Sequence, residues 1–467
     1  MIEWVQRILV ATGRWLVEQR WGVAAFVAAL VVRLHWNLVI HPPGEFIYSD
    51  MNGYLQRAAT IFAEGWAPRE YNAFYPYGTH VFLYVLQVVF GREAYTAMAT
   101  VYALLGAGVV WLSYAVACRV SRHRWVPPVL ALVLVFYYPL ISLGGFFLSE
   151  IPFSFCVVAA TLFLLRVVEH GRRFDAVAMG IMVALGFTLR PQIMLSVAFI
   201  GVFWLLVRRH VPRLRLVHLV LAMVPVLGIM AFSAWRMHHH TGRHGLISEN
   251  GTFNQVFGRC HNNKIVALPD RPGRSRTSFG PPPFIQLANR ERVAPNGWPG
   301  LRPAIELEIE YEGYIGDKEI HRQLIARCIE ATGWRGQVEY AIVHVALLAR
   351  YNIMWPDSGR AHWRDLSYRW GQWNERLFIV PALLALFAVF RPRSHVRLGL
   401  VGLHVWSVIV LAILYFGDVR FRAPYDPFIM LMALEVHAMV LSWGVARIAR
   451  LRNRGNKRRV EAVGGPP

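Results

Sequence analysis

The chain has 467 residues, of which 55% are hydrophobic, only 16% are charged and 17 are Trp. A soluble domain carries about 25% charged residues, so this composition excludes an ordinary soluble protein and points to one that crosses a membrane repeatedly. The net charge of +21 does not indicate nucleic acid, because the basic residues cluster between apolar runs and form no single patch.

Residues 1 to 20, MIEWVQRILVATGRWLVEQR, space their apolar side chains helically with arginines between them. That predicts a cytoplasmic helix on the membrane surface over 1–21. The apolar run that follows is too long for a signal peptide, and no small-residue cleavage site comes after it. Ten spanning helices are predicted, over 22–40, 95–117, 126–143, 151–168, 174–189, 191–207, 216–236, 376–390, 398–416 and 425–446. The fifth and sixth are short and meet at Arg190-Pro191.

The connectors alternate in charge. Arg7, Arg14 and Arg20 precede the first span, and Arg119, Arg122 and Arg124 follow the second. Arg166, Arg172 and Arg173 follow the fourth, Arg208, Arg209, Arg213 and Arg215 the sixth, Arg391, Arg393 and Arg397 the eighth, and RIARLRNRGNKRR the last. The positive-inside rule makes these connectors and both termini cytoplasmic. All other connectors are then outside, with Asp50, Glu150, Arg190, Arg420 and Arg422. Charges gathered at one face suit a site at the outer membrane interface better than an ion path, which needs polar residues through the depth. The segment VEYAIVHVALLARYNIMW, 338–355, reads as an interfacial helix of the outer part, because a span there would flip every later connector.

These patterns divide the chain into the surface helix 1–21, an N-terminal transmembrane module 22–236 whose first outer loop is 41–94, a large outer loop domain 237–375, C-terminal spans over 376–449 and a basic tail 450–467. Cys260 and Cys328 both fall in the large loop and can pair if it lies outside the cytoplasm.

The first outer loop begins GEFIYSDMNGYLQRA. A short amphipathic helix is expected from Met51 to Glu64, begun by Ser49 or Asp50 as its cap, and a second over 79–90. Asp50 is either that cap or a general base, which must reach a hydroxyl and be deprotonated at the working pH. Tyr54, Tyr75 and His80 of this loop are candidates to line a site. Arg33 lies within the first span, about 10 Å below its outer end. A charge there needs an ion-pair partner or a polar cavity, so Arg33 is a further candidate. Glu150, in LSEIPF, opens the fourth span, where the helix dipole favours an acid. Arg190, in LRPQ, and Arg420 and Arg422, in RFRAPYDPF, either snorkel to headgroups or grip a phosphate. The i, i+2 spacing of the last two is expected to present donors to one small region.

His240 and His244 in RMHHHTGRHG have the i, i+4 spacing of a metal pair, but no carboxylate or Cys nearby completes a site. Asn250-Gly251-Thr252 matches a glycosylation acceptor, which matters only in a eukaryotic secretory compartment. No Gly-rich phosphate loop, nucleophile elbow or Cys-pair zinc motif is present, so a cytosolic nucleotide site has no support.

Taken in order, Arg33, SDMNGYLQRA, YPYGTHVFLYVLQVVFG, LSEIPF, LRPQ and RFRAPYDPF resemble the GT-C superfamily of integral-membrane glycosyltransferases. The branch most resembled is the protein mannosyltransferase and aminoarabinose transferase group, with its rhizobial lipopolysaccharide-transferase relatives. The resemblance covers most of 22–236 and 376–446. It implies an all-α polytopic membrane protein with outer-face juxtamembrane helices and one large outer loop. It also implies an inverting transferase that takes a sugar from a polyprenyl-phosphate donor, in an inner membrane, for an envelope glycan, lipid or protein acceptor. Asp50 matches the family's first-loop catalytic acid. Many relatives have an Asp-Glu pair there; here Met51 follows, so the second acid's role is absent or passes to Glu150. No cofactor is certain, and a divalent metal is possible, although Arg190, Arg420 or Arg422 could stabilise the leaving phosphate instead. Two rival readings remain: a transporter of lipid-linked sugar, which would need related halves and polar depth, and a non-catalytic envelope-assembly partner.

Overall fold

The computed structural model of the protein describes residues 20–260, 263–267, 274–279, 308–312, 316–349, 361–390 and 392–463. The surface helix expected over 1–21 lies almost wholly outside them, as does Arg350. Each of the ten predicted spans is helical. Among the described residues eight helices are long and apolar enough to cross a membrane: Arg20–Glu45, Tyr95–Val120, Glu150–His170, Ile193–His210, Leu216–Thr241, Arg369–Phe390, His395–Leu414 and Val419–Arg447. A ninth candidate is the pair Val126–Val135 and Tyr138–Gly144, bent by 48°. The remaining predicted span, 174–189, forms Arg173–Leu189, a helix of 17 residues. The chain is a multi-pass membrane protein.

Prolines shape the two irregular places. Pro139 opens the second limb of the bent pair, where it supplies no amide and its ring crowds the preceding turn. Pro191 disfavours helical backbone at the residue before it. Arg190 is accordingly extended (φ −148°, ψ 106°), and the helix stops at Leu189. That turn aims the Arg190 side chain.

Helices Tyr95–Val120 and Glu150–His170 form the centre of the bundle. Small buried residues on the first, Ala99, Ala103, Gly106 and Ala107, let neighbours approach closely. Gly106 also leaves room for Arg33: a Cβ there would stand 2.8 Å from the Arg33 Cδ and Nε atoms.

The first outer loop folds as expected into helices Ser49–Glu64 and Gly78–Phe90, with a short helix Glu70–Phe74 between them. In the large loop, helix Asn250–Arg259 is joined to helix Lys318–Ala349 by a disulfide between Cys260 and Cys328, Cα atoms 5.1 Å apart. A small antiparallel sheet is added to the otherwise helical architecture. Strand Arg274–Phe279 lies between Asn263–Ala267 and Glu308–Glu312, with Asn263 opposite Phe279 and Arg274 opposite Glu312. The described part of 338–355 continues helix Lys318–Ala349, which breaks at Gly333 (φ 65°) and is not among the helices apolar enough to span. Its His344 accepts the Gly417 N–H at 3.2 Å. Gly417 sits so close that a Cβ would be 1.7 Å from the His344 carbonyl oxygen. The loop is thereby fastened to the connector before the last span.

One helix orders the two ends of the molecule. At the C-terminal end of Glu150–His170, Glu169 pairs with Arg119 at 3.3 Å and Arg397 at 2.9 Å, while Arg213 donates to its carbonyl. These partners come from three of the basic connectors. At the other end, Glu150 meets residues of the remaining connectors. The 19 residue steps from Glu150 to Glu169 hold the two clusters roughly 28 Å apart at 1.5 Å per residue.

Candidate active site

Four charged side chains from four separate connectors meet at the Glu150 end. Arg420 Nη1 donates to Asp50 Oδ2 at 2.8 Å, and Arg420 Nε donates to Glu150 Oε1. Arg190 Nη2 donates to the same Glu150 oxygen, and Arg190 Nε donates to Ser149 Oγ at 2.8 Å. The order Asp50, Arg420, Glu150, Arg190 alternates in sign, and two acids balance two bases. Glu150 is fully buried, whereas 29% of the Asp50 side chain is exposed. Glu150 Oε2 and Arg190 Nη1 have no hydrogen-bond partner among the described residues.

Local sequence explains how each is presented. Asp418 caps the short helix Val419–Arg422 by accepting the Arg420 N–H at 2.7 Å, which fixes the turn that carries Arg420. Phe421 lies under Arg190, whose Cζ is 5.3 Å from the ring centroid. Glu150 takes the first-turn position that the helix dipole favours. The helix carrying Asp50 starts at Ser49 with Tyr48 as its cap, and no side chain caps it. Ser49 is the one non-glycine residue with positive φ (51°) among the described residues. Such a conformation costs about 1–3 kcal/mol and gathers at functional sites.

The capping expectation for Asp50 is therefore corrected. Its two oxygens are taken by Arg420 and by the Tyr75 hydroxyl, which donates to Oδ1 at 2.8 Å, not by amides of its own helix. Burial raises the Asp50 pKa, but the charge and hydrogen bond of Arg420, the hydrogen bond from Tyr75 and the charge of Arg190 outweigh it. The net effect holds the carboxyl below its ordinary value, so Asp50 is ionised at neutral pH. Tyr54 packs against Tyr75, ring centroids 5.0 Å apart. Burial first, then the Asp50 charge, pushes both phenols up, so they stay protonated and remain donors.

Three candidates stand elsewhere. Arg422 was expected beside Arg420, but in a helical turn residues i and i+2 do not face each other. Its Nε donates to Asp426 at 2.8 Å and its Nη1 to the carbonyls of Leu348 and Ala349, while Tyr137 donates to the other Asp426 oxygen. Arg422 thus fastens the large loop to the last span. Arg33 donates to the carbonyls of Ala29, Leu134 and Val135, the last two at the end of the bent helix, where a cation is favoured. His80 is buried with neither ring nitrogen partnered among the described residues. Burial, then Arg236, Arg57 and His240, lower its pKa well below the usual value, so it is neutral.

His240 and His244, which have the spacing of a metal pair, take separate partners. His244 stacks on His238 with centroids 5.5 Å apart, and His240 accepts the Arg69 N–H. Among the described residues no group of three or more His, Cys, Asp or Glu side chains could hold a metal ion. The Asp50 cluster also suits a divalent cation poorly, because Arg420 already stands between its two carboxylates and donates to both.

Below the Arg190 turn lies a cavity of about 230 Å³. Ile193, Val183, Met179 and Leu164 line it, with Ser196 and His404 among its few polar neighbours. The two helices flanking Arg190 both contribute to its wall.

The sequence reading missed Ser149, Asp418 and Arg57. Arg57 had a signal: Asp50, Tyr54 and Arg57 follow i, i+4, i+7, one face of a helix.

No family model matches the chain, and no curated protein matches it. Several solved structures resemble it. The archaeal oligosaccharyltransferase AglB from Archaeoglobus fulgidus, in complex with an inhibitory peptide and a dolichol-phosphate, is 13% identical over 94% of this chain and 52% of that one, with a TM-score of 0.48. The Archaeoglobus fulgidus oligosaccharyltransferase tethered with an acceptor peptide containing the NVT sequon is 13% identical over 90% of this chain and 50% of that one, TM-score 0.49. ArnT from Cupriavidus metallidurans bound to undecaprenyl phosphate is 16% identical over 89% of this chain and 77% of that one, TM-score 0.37. The chain spans about half the length of the oligosaccharyltransferases. All three scores lie below 0.5, and the identities are too low to transfer an activity.

Proposed function

We propose that the protein is a membrane glycosyltransferase that moves a sugar from a polyprenyl-phosphate donor to an acceptor hydroxyl of an envelope glycan, lipid or protein, with inversion. The observation that carries this reading is the Asp50, Arg420, Glu150, Arg190 ladder, built from four connectors that the charge pattern puts outside. The motif order supports the same class. The basic connectors support a site on the outer face of the inner membrane, and the Cys260–Cys328 pair suits an oxidising compartment.

In this mechanism Asp50 takes the proton of the acceptor hydroxyl. The oxygen forms a bond to the anomeric carbon as the bond from that carbon to the phosphate oxygen breaks. The electron pair leaves with the polyprenyl phosphate. Arg190 and Arg420 neutralise the added charge, which in a water-poor site is the larger part of the stabilisation. Glu150 is fully buried and accepts from both Arg190 and Arg420, so in this reading it holds the two arginines in place.

Turnover by purified protein in lipid micelles tests the reading. A panel of polyprenyl-phosphate sugars is supplied with an envelope extract, and release of polyprenyl phosphate is followed. Wild type is expected to release it and Asp50→Asn to fail. Equal release by both, or transfer of donor across vesicles with no glycosidic bond made, would overturn it.

A further inference from the structure

Arg57 is buried to 1% exposure, yet among the described residues it pairs with no acid. Its Nε donates to the Tyr71 carbonyl at 3.0 Å and its Nη1 to the Gly53 carbonyl at 2.8 Å. Nη2 has no partner among the described residues. A buried charge without a counter-ion is costly, so something must offset it. Two aromatic rings face it. The Arg57 Cζ lies 3.6 Å from the Tyr71 centroid and 4.6 Å from the Tyr75 centroid. A cation over a ring face is attracted by the ring quadrupole, more strongly when both are desolvated.

Tyr75 is also the residue whose hydroxyl donates to Asp50. A guanidinium against the ring draws electron density from the phenol and makes its O–H a better donor. The fork to two backbone carbonyls keeps the guanidinium from turning away. Gly53 allows this approach, since a Cβ there would lie 3.0 Å from Arg57 Nη1.

We propose that Arg57 is a positioning residue that acts on Asp50 through Tyr75: it orients the phenol and strengthens the hydrogen bond that Asp50 accepts. The proposal rests on the reading of Asp50 as the base. It gives the enzyme a base that is ionised and aimed before the acceptor arrives, without a second carboxylate beside it. The groups facing Asp50 are Tyr75 from the turn after helix Glu70–Phe74, Tyr54 from its own helix, Arg420 from the segment before the last span, and Arg190 through its charge. Arg57 itself faces Tyr71, Tyr75 and His80.

The test reads the protonation of Asp50 directly and needs no donor. Full-length protein carrying carbon-13 in its Asp carboxyls is titrated by infrared spectroscopy, and the Asp50→Asn spectrum is subtracted to isolate the Asp50 band. Tyr75→Phe removes the donated hydrogen bond, so the midpoint is expected to rise by about one pH unit. Arg57→Gln is expected to raise it in the same direction by less. In a Tyr75→Phe background Arg57→Gln is expected to add nothing. A further rise in that background would mean that Arg57 acts by its charge alone, and an unmoved midpoint in Arg57→Gln would mean that it does not act; either overturns the proposal. If Arg57→Gln does not fold, Arg57→Lys carries the test. It keeps the charge but loses the flat stacking surface and the fork, so a smaller rise is expected and none overturns the proposal. Turnover is measured separately on the same proteins. A midpoint that moves as expected in a protein without transferase activity would sink the transferase reading and leave the coupling standing.

Discussion

Arg420 Nη1 and Asp50 Oδ2 meet at 2.8 Å although 370 positions separate them in the chain. The contact closes the C-terminal spans onto the first outer loop. It also gives one guanidinium two duties, because the Nε of Arg420 is bound to Glu150.

A lysine has one nitrogen and cannot occupy both the Nε and the Nη1 positions that meet Glu150 and Asp50, so Arg420→Lys is expected to lower kcat about 100-fold. The pH profile carries a second signature. Arg420 helps to hold the Asp50 pKa down against burial, so weakening it lets that pKa rise. In the proposed mechanism ionised Asp50 is the active form. The loss of activity on acidification is therefore expected to begin at higher pH in Arg420→Lys than in wild type. Steady-state rates across the acid range check this.

Asp50→Asn keeps one acceptor oxygen where Tyr75 and Arg420 each use their own, and it removes the proposed base. Release of polyprenyl phosphate is expected to fall by about 10²–10⁴-fold. Donor binding, followed by quenching of tryptophan fluorescence, is expected to survive. The depressed pKa of Asp50 contributes stability that is present above its unfolded value, about 3.9, and is lost as pH falls through its folded value. Asp50→Asn should therefore flatten the acid end of a plot of melting temperature against pH.

Glu150→Gln leaves Arg190 and Arg420 without their shared buried counter-charge. Breaking such a pair by removing one partner costs about 3–5 kcal/mol. Melting in detergent is expected to show a larger loss for Glu150→Gln than for Asp50→Asn, since the Asp50 side chain is partly solvated. Equal losses would contradict the bridging role of Glu150.

Arg422→Lys separates the two arginines of RFRAPYDPF. It weakens the bonds to Asp426 and to the Leu348 and Ala349 carbonyls, so the melting temperature is expected to fall. The protein that remains folded should keep its kcat and its acid limb within about twofold, a surface-like response at the site. A loss of activity matching Arg420→Lys would put Arg422 back in the site.

Much of the site was legible because the residues that meet share the parity of their connectors. Asp50, Glu150, Arg190 and Arg420 all follow or precede spans at one end, and the charge rule alone groups them. What spacing did not reveal was direction. Arg420 and Arg422 differ by two positions, and the turn that Asp418 caps sends them opposite ways. Arg33 was visible as an anomaly, but its partners are main-chain carbonyls exposed by the bend before Tyr138, which no side-chain pattern announces. The Tyr75 bond to Asp50 replaced a cap because the loop returns 25 residues later, a contact that belongs to tertiary structure.

Helix Glu150–His170 ends in an acid cluster at either tip, and both clusters are set by rotation about its axis as well as by its length. Glu150 and Glu169 are each gripped by arginines that other helices supply at fixed angles. Adding one residue anywhere between them would lengthen the helix by about 1.5 Å, which a bilayer tolerates, but would turn one tip by about 100° relative to the other. Only one of the two clusters could then re-form. The helix works as a keyed shaft: the seating of its Glu169 tip constrains the angle at which Glu150 is offered to Arg190 and Arg420 at the other end.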